Sequence, residues 1–106
     1  MCAQRFDAVI PLADLREGRM RSCVLEAGEI LICHTPAGVF AVDNVCTHAY
    51  ARLSEGRLRG TRVICPLHGA CFDVRDGSVL AGPAAVALAA HAVRVVDGMI
   101  EVAVET

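Results

Sequence analysis

The chain has 106 residues, enough for one domain of ordinary size and too few for a multidomain enzyme. Its ten basic residues, all Arg, stand against twelve acidic ones for a formal net charge of −2, which leaves no surplus to hold a phosphate backbone and argues against nucleic acid as a partner. The charge-free stretch from Ser78 to Val93 is rich in Ala and interrupted by Gly82-Pro83 and His91, so it falls short of the roughly 20 strongly apolar residues of a membrane span. The first residues, Met1 to Asp7, carry no apolar core, twin-Arg pair or cleavage pattern, which predicts a soluble cytoplasmic protein. In a reducing compartment its six cysteines point to metal chemistry or buried thiols rather than disulfides.

In chain order, Leu12 to Gly18 is compatible with a single helical turn, with Asp14 as its cap. Gly28 to Cys33 and Val39 to Asp43 are rich in β-formers and flank the turn signal Thr35-Pro36-Ala37-Gly38, which predicts a meander. Ala84 to Ala92 has a helical composition but no polar face, and is expected to be a loop leading into a strand. Val93 to Val96 and Met99 to Val104 flank Asp97-Gly98, a dipeptide suited to both left-handed positions of a tight hairpin turn. There is no repeat, linker or low-complexity tract. The predicted fold class is all-β, one domain of small packed sheets or a partial barrel spanning 1–106.

The chemistry concentrates in Cys46-Thr47-His48, followed after sixteen residues by Cys65-Pro66-Leu67-His68. Two thiolates and two imidazoles on two loops make a four-ligand metal site, with Pro66 stiffening the second loop and Gly69 freeing the backbone after it. Tetrahedral zinc accepts this donor set, although its usual spacing keeps like ligands together. A [2Fe–2S] centre in which two His replace two Cys on one iron accepts it as well, and the mixed pair on each loop favours that option.

These boxes, together with Ala41-Val42-Asp43-Asn44-Val45, Gly69 to Asp73, Asp76 to Leu80, Gly82-Pro83-Ala84 and the Val93 to Val102 region, make the chain resemble the Rieske [2Fe–2S] ferredoxins of bacterial aromatic ring-hydroxylating dioxygenase systems. The resemblance implies small antiparallel sheets with a cluster-binding subdomain at one tip, and cluster loops at about 45–51, 65–72 and 80–84. It implies one Rieske-type [2Fe–2S] cluster, with Cys46 and Cys65 on one iron and His48 and His68 on the other. It also implies an electron-transfer component without catalytic residues of its own. Such a carrier takes electrons from a flavin-dependent NAD(P)H ferredoxin reductase to a terminal ring-hydroxylating oxygenase, and is expected to be monomeric. Ala87, Ala89 and Ala92 stand where prolines are common in these ferredoxins, so the loop after Gly82-Pro83 is expected to be less rigid. At the positions where high-potential relatives carry a bridging Cys or a donating hydroxyl, this chain has Ala51, Leu67, Ala70 and Phe72, which implies a low potential.

Other residues take plainer roles. Cys71 is expected to be a buried thiol under the second loop, Cys23 and Cys33 core residues, and Cys2 exposed. His34 and His91 are ordinary polar positions. Arg52, Arg57, Arg59 and Arg62 make a solvated hairpin face, a docking patch being the alternative. Leu67, with Tyr50, Ala49 and Pro83, would form a hydrophobic rim suited to brief docking. Two other functions remain open at this point. One is a zinc-stabilised interaction module, and the other a Rieske redox-sensing subunit of another complex.

Overall fold

The computed structural model describes residues 5–26, 28–47, 51–67, 69–82 and 86–104. Among these described residues, eleven short strands build three antiparallel sheets. In chain order they are β1 (Arg5–Pro11), β2 (Met20–Leu25), β3 (Gly28–Thr35), β4 (Gly38–Asp43), β5 (Arg57–Arg59), β6 (Arg62–Ile64), β7 (Cys71–Asp73), β8 (Val79–Ala81), β9 (Ala90–His91), β10 (Val93–Val96) and β11 (Met99–Val104). The sheets are β1-β11-β10, β2-β3-β4-β9 and β5-β6-β7-β8. The all-β expectation holds among the described residues, where the only helical pieces are 3-10 turns at Leu12–Asp14 and Leu53–Glu55.

The middle sheet serves two cores at once, and this explains the unbroken apolar run of β3. Side chains alternate across a strand. Ile30 and Ile32 therefore face one core, with Ile10 of β1 and Ile100 and Val102 of β11, while Leu31 and Cys33 face the other. A strand buried on both faces reads as continuous hydrophobicity rather than alternation. The second core joins the middle sheet to the small β5–β8 sheet through Leu53, Val63, Phe72 and Val74.

The hairpin read from Asp97-Gly98 is present: Val96 faces Met99 and Val93 faces Val102 across it. Asp97 and Gly98 both sit in the left-handed region, at φ 49° and 78°. The meander is present too, with Ile30 opposite Asp43 and Thr35 opposite Gly38. In the Ala-rich stretch, the described residues 86–89 are irregular and lead into β9, which pairs with β4. The expected cap at Asp14 is corrected. Pro11 occupies the N-cap position without a side-chain cap bond, and Asp14 lies inside the turn, whose extent is only three residues.

Candidate metal centre

The two cysteine loops emerge from different sheets but are closed in the same way. The first follows β4, is framed by an isolated bridge between Val45 and Arg52, and is latched by the Cys46 N–H donating to the Ala51 carbonyl at 2.9 Å. The second follows β6 and is latched by the Cys65 N–H donating to the Ala70 carbonyl at 2.8 Å. In each case the candidate cysteine closes on the residue five positions later. Gly69, at φ 72°, supplies the left-handed backbone that the second loop was expected to need.

Cys46 and Cys65 are 3% and 2% exposed, within the same core cluster as Leu53, Val63, Ala70 and Phe72. Their thiols lie within hydrogen-bonding reach of one another, and the Leu67 N–H points at the Cys65 sulfur. Burial pushes the Cys65 thiol up; the Leu67 N–H opposes this, and the neighbouring Cys46 pushes in the same direction as burial. Two thiolates so close in dry surroundings repel each other unless a cation lies between them. The donor chemistry therefore fits a shared metal ion, with a backbone N–H already placed to donate to one sulfur. The other two expected ligands, His48 and His68, lie outside the described residues, as do Ala49, Tyr50 and Pro83 of the expected rim. Among the described residues, no group of three or more candidate ligands gathers elsewhere.

Several supporting residues escape a reading of the sequence because their partners are far along the chain. Asn44, fully buried, accepts from the Ser54 N–H at 2.9 Å and donates to the Ser54 hydroxyl at 3.2 Å, tying the base of the first loop to the turn that follows it. Its carbonyl accepts from Leu53 at 2.7 Å. Thr47 donates from Oγ1 to the carbonyl of Val86 at 2.6 Å, joining the first loop to the chain just beyond the third. Leu88, buried in the second core, donates to the Gly77 carbonyl at 2.8 Å. The only advance signal was Thr47's place between two candidate ligands.

Asp73, 7% exposed, takes a fork from the Arg75 guanidinium, at 3.0 Å from Nε to Oδ1 and 2.7 Å to Oδ2. The Arg75 side chain beside it holds this carboxyl below the usual carboxylate range. Arg52 is exposed, as expected, and also pairs with Glu29 at 2.8 Å, which lowers the Glu29 carboxyl in turn. Arg57, Arg59 and Arg62 are exposed, as expected. So is Leu67, at 48%, and it has company not foreseen in the sequence: Leu80 at 48% and Val86 at 64%, both flanking the third loop.

The remaining cysteines and histidines largely keep the roles expected of them. Cys33 and Cys71 are buried and Cys23 partly so; burial pushes the Cys33 thiol up to about 12, which makes it chemically inert at neutral pH. Cys2 lies outside the described residues. His34 places Nδ1 2.7 Å from the Leu15 carbonyl. His91 places Nε2 2.8 Å from Asp43 Oδ1, a hydrogen-bond partner that spacing along the chain did not reveal.

Comparison with known proteins bears on this site directly. A family profile described as the Rieske [2Fe-2S] domain matches residues 6–95. The ferredoxin component of the naphthalene 1,2-dioxygenase system of Pseudomonas putida is 38% identical over 74 residues, covering 70% of this chain and 71% of that protein. The solved ferredoxin of carbazole 1,9a-dioxygenase from Nocardioides aromaticivorans shares 30% identity at a TM-score of 0.90, over 94% of this chain and 98% of that one. A chain from the complex of reduced oxygenase and oxidized ferredoxin in carbazole 1,9a-dioxygenase shares 31% identity at a TM-score of 0.85, over 90% of this chain and 98% of its own length.

Proposed function

The chain belongs to the Rieske [2Fe–2S] domain family, and from that premise we propose that it is a ferredoxin that carries single electrons to the terminal oxygenase of an aromatic ring-hydroxylating dioxygenase system. The observation that carries this reading is the pair of adjacent, buried thiols of Cys46 and Cys65 at the bases of two identically latched loops. A Rieske cluster takes up and releases one electron within about −150 to +300 mV, and that is the whole chemistry it supplies. Cys46 and Cys65 hold one iron, and His48 and His68 hold the other from the solvent side. The single domain presents the cluster through loops at about 45–51, 65–72 and 80–84.

The protein's own residues set the conditions. The Leu67 N–H donates to the Cys65 sulfur and so favours the extra negative charge of the reduced state. Ala70 and Phe72, both fully buried, offer apolar surface and no hydroxyl, which places the potential toward the low end of the Rieske range. A low potential suits an electron supply from a flavin-dependent NAD(P)H reductase in the cytoplasm. The exposed Leu67, Leu80 and Val86 offer apolar side chains on or beside the loops for brief docking of a partner, with the chain acting as a monomer.

The test is spectroscopic. The purified protein is expected to be red-brown, to bleach partly with dithionite, and then to show an EPR signal of the low average g value given by mixed nitrogen and sulfur ligation. Electron delivery is then read as oxygenase turnover in a mixture with reductase and NAD(P)H. A colourless protein with stoichiometric zinc would overturn the proposal in favour of a structural metal.

A further inference from the structure

The arginines divide sharply by environment. Arg5, Arg52, Arg75 and Arg94 are ion-paired. Among the described residues Arg16, Arg19, Arg21, Arg57, Arg59 and Arg62 form no salt bridge, and all six are exposed. Five of them converge from two distant parts of the sequence. Arg19, Arg57 and Arg59 line a groove of about 550 Å³ between the chain entering β2 and strand β5. Arg16, Arg19 and Arg21 line a second of about 280 Å³ that shares Arg19 and Met20 with the first. At its other end, Arg57 borders a recess of about 320 Å³ together with Cys65 and Pro66. The recesses are neighbours through shared lining residues, Arg19 and Met20 between the first two and Gly56 and Arg57 between the first and third, and together they make a basic channel that reaches Cys65. Among the described residues, Asp14 and Glu55 are the only acidic ones lining it, against five arginines, a local excess of three positive charges on a chain whose net charge is −2.

We infer that this channel is a docking surface for carboxylates on the electron-accepting partner, placed beside Cys65 so that an acidic protein surface is drawn to the cluster despite the chain's overall negative charge. The inference rests on the carrier reading above. Its physical basis is local: attraction between complementary charged patches steers encounter and falls with salt, whatever the net charge of the whole. Pro66, which borders the recess, is followed in the chain by exposed Leu67, so an apolar side chain stands beside the charged margin, a combination found in protein interfaces. A protein partner is favoured over a nucleic acid because the channel ends at the cysteine loop, where only a redox partner has reason to be.

The test uses hexacyanoferrate(III) as an anionic electron acceptor. The reduced protein loses one electron, hexacyanoferrate(II) forms, and no bond is made or broken. A body of charge −2 repels this anion, so salt would speed the reaction; a basic channel beside the cluster reverses the sign. The expected result is a rate that falls on the order of tenfold between about 20 and about 200 mM salt. The triple variant Arg19→Gln, Arg57→Gln, Arg59→Gln is expected to lose that dependence with its visible spectrum unchanged, and the corresponding Arg→Lys triple to keep it. A second readout needs no cluster: wild type should be retained at pH 7 on a sulfonate cation exchanger, the Gln triple should not, and the Lys triple should. Salt acceleration in wild type, or equal behaviour of wild type and the Gln triple, would overturn the inference. So would micromolar binding of duplex DNA with the same arginine dependence, which would make the channel a nucleic-acid face. A colourless, redox-silent protein that still shows arginine-dependent retention would instead count against the carrier reading alone.

Discussion

Thr47 sits between a cysteine and a histidine, yet its own hydroxyl reaches thirty-nine residues along the chain to the Val86 carbonyl. Thr47→Val keeps the shape and removes that bond, so it should cost about 1 kcal/mol, read as a lower urea midpoint, while Thr47→Ser should recover most of the loss. Ala70 and Phe72 carry the argument about potential. Ala70→Ser and Phe72→Tyr should each move it upward within the roughly −150 to +300 mV span, and protein-film voltammetry measures the shift directly. Asp73 carries the pH dependence. Its carboxyl is depressed by the Arg75 fork, so the stability it contributes is complete above the unfolded carboxylate value of about 3.9 and is lost as pH falls through the lower folded value. Asp73→Asn should therefore cost on the order of 1 kcal/mol at neutral pH, water around the half-exposed Arg75 screening part of the charge. The two proteins should converge in chemical denaturation as the medium is acidified below about pH 4.

Among the elements, those that could be read from the sequence are the ones specified locally. The β10–β11 hairpin was legible because Asp97-Gly98 alone satisfies its turn, and β3 and β4 because Thr35 to Gly38 separates two long apolar runs. The β5–β8 sheet was not, since strands of three residues are too short to show a period. What sets them in place is tertiary: Val63 opposite Phe72, both fully buried, and Gly56 pressed against β6. The site divides in the same way. The two cysteine boxes were carried by spacing and the pairing of Cys46 with Cys65 by the family resemblance, whereas Asn44 and Thr47 gain their roles only from partners that folding brings to them. Gly56 marks where this sheet tolerates no change. A Cβ there would lie 1.9 Å from the Ile64 carbonyl oxygen, one residue before Cys65. Gly56→Ala should force β5 away from β6, cost about 2 kcal/mol or more, and lower the fraction of protein purified with visible colour.

At the scale of the whole molecule, the three sheets share two cores through the middle one, and the candidate ligands Cys46 and Cys65 belong to the second. The first core, with Ile10, Ile30, Ile32, Ile100 and Val102, contains none of the candidate ligands. Folding of that half is therefore expected to proceed without metal. Both cysteine loops, moreover, are latched by main-chain bonds of Cys46 to Ala51 and Cys65 to Ala70. Removing iron with a chelator should therefore leave the far-ultraviolet circular dichroism nearly unchanged and a cooperative thermal transition in place, unlike a zinc finger, which unfolds without its ion. Those latches make loading a late event on a finished mould. Loaded and unloaded copies would then present nearly the same face, so an oxygenase could be occupied by a messenger with nothing to deliver, and the ratio of the two forms would govern throughput as strongly as the total amount of protein.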